Sequence, residues 1–291
     1  MEYYKKYKKY LPHILFILLI ISTFFIWYFI YFKPPENHNL LVAFLDVGQG
    51  DSIYIEAPNG TQILIDGGPD QKVLAGLSKV MPFGDRSIDL VIVTHTDADH
   101  VGGLPSVLDN YQVDSIIDNG ASSDTKIYQS LENRVMNKNI KKIIARAGMK
   151  IIIDQKKNIY FDILFPDRDA SKMESNDGSV VGRLVYGEDS FLFTGDATIY
   201  SEVLMHQRGK GNLVADVLKL GHHGSKTSSS ELWLEDVRPE IAIISAGKDN
   251  RYSHPSKETI DRLNKLKIPY LNTADVGNII FETDGSGISK K

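Results

Sequence analysis

The sequence predicts an α/β protein in which two β-sheets pack face to face with helices outside, preceded by one apolar helix near the amino terminus. Three observations lead there. Each half of the chain opens on β-rich hairpin patterns and continues as mixed strand and helix patterns, an order that suits two sheets with helices on their outer faces. An uncharged run, Leu11 to Phe32, follows a lysine cluster. The remaining sequence has no repeat at solenoid period and no low-complexity tract, so it reads as one domain of roughly 250 residues.

The elements follow in order. "MEYYKKYKKY" holds Lys5, Lys6, Lys8 and Lys9, and the 22 residues after it contain no Asp, Glu, Lys or Arg. As a helix that run reaches roughly 33 Å, enough for a bilayer core of about 30 Å. It is longer than a signal-peptide core and ends in Trp27, Tyr28, Tyr31 and Lys33, an interfacial pattern, so we read an uncleaved single-pass membrane anchor. The lysines keep the amino terminus cytoplasmic and place the rest of the chain outside the cell. "KPPENHN", residues 33–39, is a linker whose prolines block helix continuation. The predicted division is residues 1–36 for tail, anchor and linker, and 37–291 for the folded domain.

Beyond the linker, "LLVAFLD", "SIYIE" and "TQILID" read as strands, the last two joined by a hairpin through Asn59-Gly60. A helix follows near Gln71 to Met81, then strand "IDLVIVT", a helix from near Leu104, strand "DSIID", and a helix from about Thr125 to Lys138. "KIII", "IYFDILF", "VVGRLVYG" and "SFLFTGD" read as strands. In the last third, helices "TIYSEVLMHQ", "SSSELWLEDV" and "SKETIDRLNKL" alternate with strands "DVLKLG", "IAIISAG" and "NIIFET". The Ser228 to Glu231 spacing is that of a capping box, which marks a helix start.

Composition narrows the chemistry. There is no cysteine, which excludes disulfides, thiolate zinc sites and cysteine nucleophiles. Residues 1–36 hold five lysines and two acids, so the remainder carries 28 basic against 35 acidic residues, a net of −7. Bulk charge gives such a domain no help in gathering a polyanion.

Against that background, "THTDADHVGG" places His95, Asp97, Asp99 and His100 directly after an apolar strand. Imidazoles and carboxylates this close repel or stay neutral unless a cation lies between them. Asp99 alone would serve as a first-turn acid favoured by the helix dipole, but that leaves the histidines unexplained. Asp196 in "FLFTGDA", His222 and His223 in "VLKLGHHGS" and His254 in "RYSHPS" likewise follow strands. Five of the eight histidines thus fall where active sites of layered α/β folds assemble.

"HTDADH" resembles the HxHxDH signature of the metallo-β-lactamase superfamily, with Asp97 in place of the second histidine. "IDGG", "TGDA" and "GHHGS" follow in that superfamily's order. "DVGQGDS", "THTDADHVGG", "SNDGSVVGRLVYG", "LFTGDA", "LKLGHHGSKTSSS" and "NRYSHP" together resemble the hydrolase domain of ComEC-type competence proteins, over about Leu41 to Thr283. The resemblance implies a four-layer αββα sandwich with two divalent metal ions, Zn²⁺ or Mn²⁺. It places His95 and Asp97 on one metal, Asp99 and His100 on the other, Asp196 between them, and one of the adjacent pair, His222 in first place, completing the second site. Asp66 would support ligands from behind. Asp46, Gln49 and Asp51 would shape the loop beside the metals, or equally serve turn chemistry around Gly48 and Gly50.

Two departures matter. Asp97 replaces a histidine, and "SNDGS" offers Ser175 or Asn176 where another is expected, so the donor set shifts toward oxygen and toward Mn²⁺. One of the two sites is thereby weakened. The resemblance then implies attack by a metal-activated hydroxide on a phosphodiester, with Asp99 and His254 as catalytic residues and His254 as phosphate contact or proton donor. His223 and Lys226 stand near substrate, and Lys226, Lys248 and Arg251 are alternatively solvated surface charges. The expected substrate is DNA, in competence or DNA uptake. ComEC-type proteins join this domain to a multi-span channel, and one span leaves no room for one, so a separate channel protein is the expected partner. The competing readings are a hydrolase of a lactam, lactone or small phosphoester, and a non-catalytic metal-containing module.

Overall fold

The computed structural model describes residue 7 and residues 9–31, 39–209 and 213–291. Lys5, Lys6, Lys8 and all of the predicted linker except Asn39 lie outside the described residues. The chain divides into two compact units, Met1–Asn37 and His38–Lys291.

The first unit contains α1, Leu11–Tyr31. Its apolar side chains, from Leu11 to Tyr28, are exposed. Ser22 and Thr23 turn their hydroxyls back onto the Leu19 carbonyl at 2.8 and 2.7 Å, so neither is left unpaired on an apolar surface. Residues Leu11–Tyr28 are long and apolar enough to cross a membrane.

The second unit is built of strands β1 (Leu40–Phe44), β2 (Ile53–Glu56), β3 (Gln62–Ile65), β4 (Ser87–Ile92), β5 (Gln112–Asp118), β6 (Lys141–Ile144), β7 (Lys150–Asp154), β8 (Ile159–Phe165), β9 (Val181–Tyr186), β10 (Asp189–Phe193), β11 (Val217–Lys219), β12 (Ile241–Ile244), β13 (Tyr270–Asn272), β14 (Ile279–Thr283) and β15 (Ile288–Lys290). Its principal helices are α2 (Lys72–Val80), α3 (Ala98–Val101), α4 (Leu104–Asn110), α5 (Lys126–Asn137), α6 (Ile199–Arg208), α7 (Glu231–Val237) and α8 (Lys257–Leu266). One sheet runs β15-β14-β1-β2-β3-β4-β5-β6 and the other β13-β12-β11-β10-β9-β8-β7.

Alternation along the strands makes the layers, because neighbouring side chains on a strand face opposite ways. Val42 and Phe44 of β1 join Phe161, Phe191, Phe193 and Phe281 in the core between the sheets. Ala43 and Leu45 point the other way, into a core with Leu77, Leu104 and Leu131 from α2, α4 and α5. In the second sheet Phe191 and Phe193 face the central core, while Leu192 meets Met205, Trp233 and Leu263 from α6, α7 and α8. The result is the predicted αββα sandwich.

Three strands, β6, β13 and β15, go beyond the sequence expectation. The capping box is also displaced: α7 starts at Glu231, and the Trp233 amide donates to Ser230 at 3.2 Å. Ser228 instead donates to the Ala197 carbonyl at 2.9 Å, and the buried Glu202 carboxylate holds the Ser229 and Ser230 amides. A carboxylate from another element thus sets this helix start.

Topology places the site. β3, β4, β5 and β6 are parallel, as are β10, β11, β12 and β13. Loops after parallel strands gather at one edge of a sheet, where ligands of open α/β sheets bind. The start of β2, antiparallel to β3, comes to that same edge.

Candidate functional site

Asp196, directly after the Thr194-Gly195 pair that follows β10, sits at the centre. It is buried, and four imidazoles approach it: His100 Nε2 at 3.2 Å, His223 Nε2 at 3.4 Å, His222 Nε2 at 3.7 Å and His95 Nε2 at 4.0 Å. Burial alone would raise its carboxyl, but His223, His100 and His95 hold it well below the usual carboxylate range. Gly195 is required here, since its φ is +50 and an added Cβ would lie 2.8 Å from Thr94 Cβ.

The loop after β4 supplies the next donors. Asp66, at the end of β3 and wholly buried, accepts from the Thr94 amide at 2.8 Å and the Thr94 hydroxyl at 2.6 Å. It also pairs with His100 Nδ1 at 2.7 Å, which leaves His100 Nε2 free to face Asp196. Asp66 adopts a left-handed φ of 57, a strained conformation of the kind that clusters at functional sites. His95 Nδ1 lies 3.0 Å from the Thr94 hydroxyl, while its Nε2 faces Asp97 at 3.7 Å. Asp97 is partly exposed and accepts from Ser175 at 2.7 Å. Asp99 Oδ2 meets His223 Nε2 at 3.3 Å.

His222 and His223 lie in the turn Gly221–Gly224 after β11, and both have left-handed backbones, with φ 48 and 55. This double kink sends adjacent rings different ways. His223 is buried, donates from Nδ1 to the Ser245 carbonyl at 2.8 Å, and points Nε2 at Asp99 and Asp196. His222 is 27 % exposed at its side chain and touches Asp196 from the outer side. Sequence reasoning put His222 ahead of its neighbour; among the described residues Asp51, His100, Asp196 and His223 each bring one donor atom within 4.8 Å of the others.

Asp51 belongs to that group through a residue the sequence reading passed over. Lys219, at the end of β11, is fully buried, with its ammonium 2.7 Å from Asp51 Oδ2 and donating to the Leu220 carbonyl at 2.8 Å. Asp51 Oδ1 lies 3.3 Å from His223 Nδ1. Burial would raise the Asp51 carboxyl, yet Lys219 and His223 hold it below its ordinary value. The available signal was a lysine inside the apolar run "VLKLG". Gly50 lets the loop in, because a Cβ there would lie 2.2 Å from the Asp99 carbonyl oxygen.

The remaining predicted residues divide. Gln49 accepts from the Gly247 amide at 3.1 Å and so ties the first loop to the one after β12. Asp46 is exposed and accepts from the Gly48 amide at 3.2 Å, as turn chemistry requires. Asn176 lies in a short turn, Asn176–Gly178, with a buried side-chain oxygen that has no hydrogen-bond partner. His254 packs 5.4 Å from His222 between ring centroids. Burial and the neighbouring His222 and His223 push its imidazole down to about 4, so it is neutral at physiological pH and a poor standing proton donor. Lys226 and Lys248 are exposed.

The donor set fits metal. His95 Nε2, His100 Nε2, His223 Nε2, Asp51 Oδ1 and Asp196 Oδ1 are all buried with no hydrogen-bond partner, a costly arrangement unless a cation completes it. In a cation-free protein the carboxylates are balanced by protonated histidines: burial opposes their charge, but Asp196 and Asp66 raise His100 well above its usual range, and Asp196, Asp51 and Asp99 raise His223 to about 9.

The sequence pattern of the Metallo-beta-lactamase superfamily matches residues 45–248, and those residues carry every donor just described. The chain belongs to this superfamily. It is 31 % identical over 259 residues to ComE operon protein 3 of Bacillus subtilis, covering 82 % of this chain and 32 % of that protein. It is 31 % identical over 253 residues to Recombination protein 2 of Haemophilus influenzae, covering 85 % and 29 %. It is 29 % identical over 272 residues to Competence protein ComA of Neisseria gonorrhoeae, covering 89 % and 35 %. The chain thus spans about a third of the length of these three proteins. Among solved structures, Igni18, a metallo hydrolase from Ignicoccus hospitalis, superposes with a TM-score of 0.52 at 14 % identity over 84 % of this chain and 99 % of that one, a likeness of fold.

Proposed function

We propose that this chain is a membrane-anchored, metal-dependent phosphodiesterase that cleaves DNA outside the cytoplasm during DNA uptake. The observation that carries the reading is the set of bare, buried imidazole nitrogens converging on Asp196. One relative named as a competence protein and another named as a recombination protein support DNA as the substrate.

We assign His95 and Asp97 to one cation, Asp99, His100 and His223 to the other, and Asp196 between them. His223 replaces His222 in this assignment because its ring is buried and its Nδ1 is already committed to Ser245. Bound there, divalent ions supply the positive charge that lowers the pKa of attacking water and neutralises the phosphodiester oxygens. These ligands are three carboxylates and three imidazoles, more oxygen than the HxHxDH signature provides, which shifts the preference from Zn²⁺ toward Mn²⁺.

The protein's own groups do the rest. Asp66 holds the proton on His100 Nδ1, and Ser245 holds the one on His223 Nδ1, so each ring turns its Nε2 toward the cation position and gives up that nitrogen's proton when a cation binds. Lys219 keeps Asp51 ionised behind His223. His254, neutral and beside His222, orients a phosphate oxygen by hydrogen bonding. The amino-terminal lysines keep the tail cytoplasmic, and a separate channel protein would carry the DNA.

The test is digestion of plasmid and single-stranded DNA by the purified chain with Mn²⁺ or Zn²⁺ added, beside a chromogenic lactam and bis(p-nitrophenyl) phosphate. DNA cleavage abolished by chelation is expected. Lactam turnover with intact DNA would replace the reading with that of a small-molecule hydrolase.

A further inference from the structure

A cavity of about 610 Å³ opens beside the cluster, and part of its wall has no role in the chemistry above. Asp97 and Asp99 line the side toward the cluster, and Lys72, Thr125, Arg251 and Tyr252 line other parts. Tyr252 is 49 % exposed, which leaves a large aromatic surface in water. Its ring is nonetheless held: it stacks on the His254 imidazole, with centroids 5.8 Å apart and planes 22° from parallel. The Arg251 guanidinium lies 4.7 Å from the ring centroid and donates to the phenolic oxygen.

Two cations reach the same cavity. Arg251 is exposed. The Lys72 side chain, 62 % exposed, lies across the "DVGQGD" loop, its ammonium 3.3 Å from where a Cβ on Gly48 would stand. An aromatic ring fixed beside the reacting centre, with exposed cations near it, is the equipment by which proteins hold unpaired nucleotides: the ring takes the face of a base and the cations take flanking phosphates. A paired base inside a duplex has both faces covered by its neighbours and offers none to the ring. The cavity is also of the size that encloses a small ligand, one or two nucleotides rather than a double helix.

Resting on the phosphodiesterase reading above, we propose that Tyr252, with Arg251 and Lys72, forms a nucleobase-binding subsite that seats one unpaired nucleotide next to the phosphate to be cut. Tyr252 supplies the stacking surface, and Arg251 leaves the ring for a phosphate as the base arrives. The site therefore prefers single strands and frayed ends to intact duplex.

The test uses the full chain in detergent with Mn²⁺ and three substrates: a labelled single-stranded oligonucleotide, the same strand in a duplex, and the strand bearing single abasic positions around the cut. Tyr252→Ala should raise KM for the single strand by roughly 5- to 150-fold, the range base stacking supports, with a smaller change in kcat. Tyr252→Phe, which keeps the ring, should restore most of the loss and serves as the control for folding. An abasic nucleotide at the seated position should cost the native chain the same factor and cost Tyr252→Ala almost nothing further. An unchanged KM, a fall in kcat alone, or equal penalties on intact and abasic strands would overturn the subsite while leaving the nuclease standing. Failure of the native, metal-loaded chain to cut any DNA would remove both.

Discussion

Asp196 and Lys219 are two buried charges with opposite consequences when removed. Asp196 touches four imidazoles, so Asp196→Asn should abolish tight cation binding while leaving the fold intact, because the amide keeps the volume; calorimetric titration with Mn²⁺ checks it. Lys219→Ala leaves Asp51 buried without its ammonium, and loss of one partner of such a pair costs about 3–5 kcal/mol. Urea unfolding should register that loss, and Lys219→Met combined with Asp51→Leu should recover much of it; a single Lys219 variant as stable as the native chain would contradict the pairing. His223 sets a pH dependence. Its folded value of about 9 lies above the unfolded value near 6.5, so its protonation stabilises the cation-free domain fully below about pH 6.5, and that contribution fades as pH rises through about 9. A cation needs the bare nitrogen, so metal uptake between those limits should release protons and tighten with rising pH. Titration in buffers of different ionisation enthalpy measures the release, and none at pH 7.5 would contradict the assignment.

At the scale of elements, strand ends and the loops beyond them decide the site. Gly50 admits the Asp51 loop against the Asp99 carbonyl, with the Asp51 amide donating to it at 3.3 Å. Its φ of +139 is open to glycine and little else, so Gly50→Ala should cost about 1–3 kcal/mol in strain and weaken metal affinity, read by thermal unfolding with and without Mn²⁺. The sequence made most of these elements legible because long apolar strands punctuated by Gly and Asp have a strong pattern. β13 and β15 escaped because each has three residues and is partly or fully exposed, leaving little alternation to read. The sequence does not separate His222 from His223 for a different reason: neighbouring residues share every sequence signal, and only their two consecutive left-handed backbones send the rings different ways. The early carboxylates were legible as a loop, whereas the role of Asp51 depends on Lys219, which is 168 positions away in sequence.

For the whole molecule, the αββα layering and membership of the metallo-beta-lactamase superfamily were both readable from the order of motifs, since those motifs must meet at one sandwich edge. The apolar α1 and the lysines before it extend the account to topology. Replacing Lys5, Lys6, Lys8 and Lys9 by glutamate should scramble or invert the orientation of the span, which reporter fusions at the carboxyl terminus would detect. The most direct measurement of the central claim is divalent metal content by elemental analysis of the purified full chain, followed together with DNA cleavage as Mn²⁺ or Zn²⁺ is restored after chelation. The account predicts one to two ions per chain, cleavage that returns with them, and loss of both in Asp196→Asn. A folded chain that takes up no divalent ion, or cuts DNA equally well without one, would contradict it.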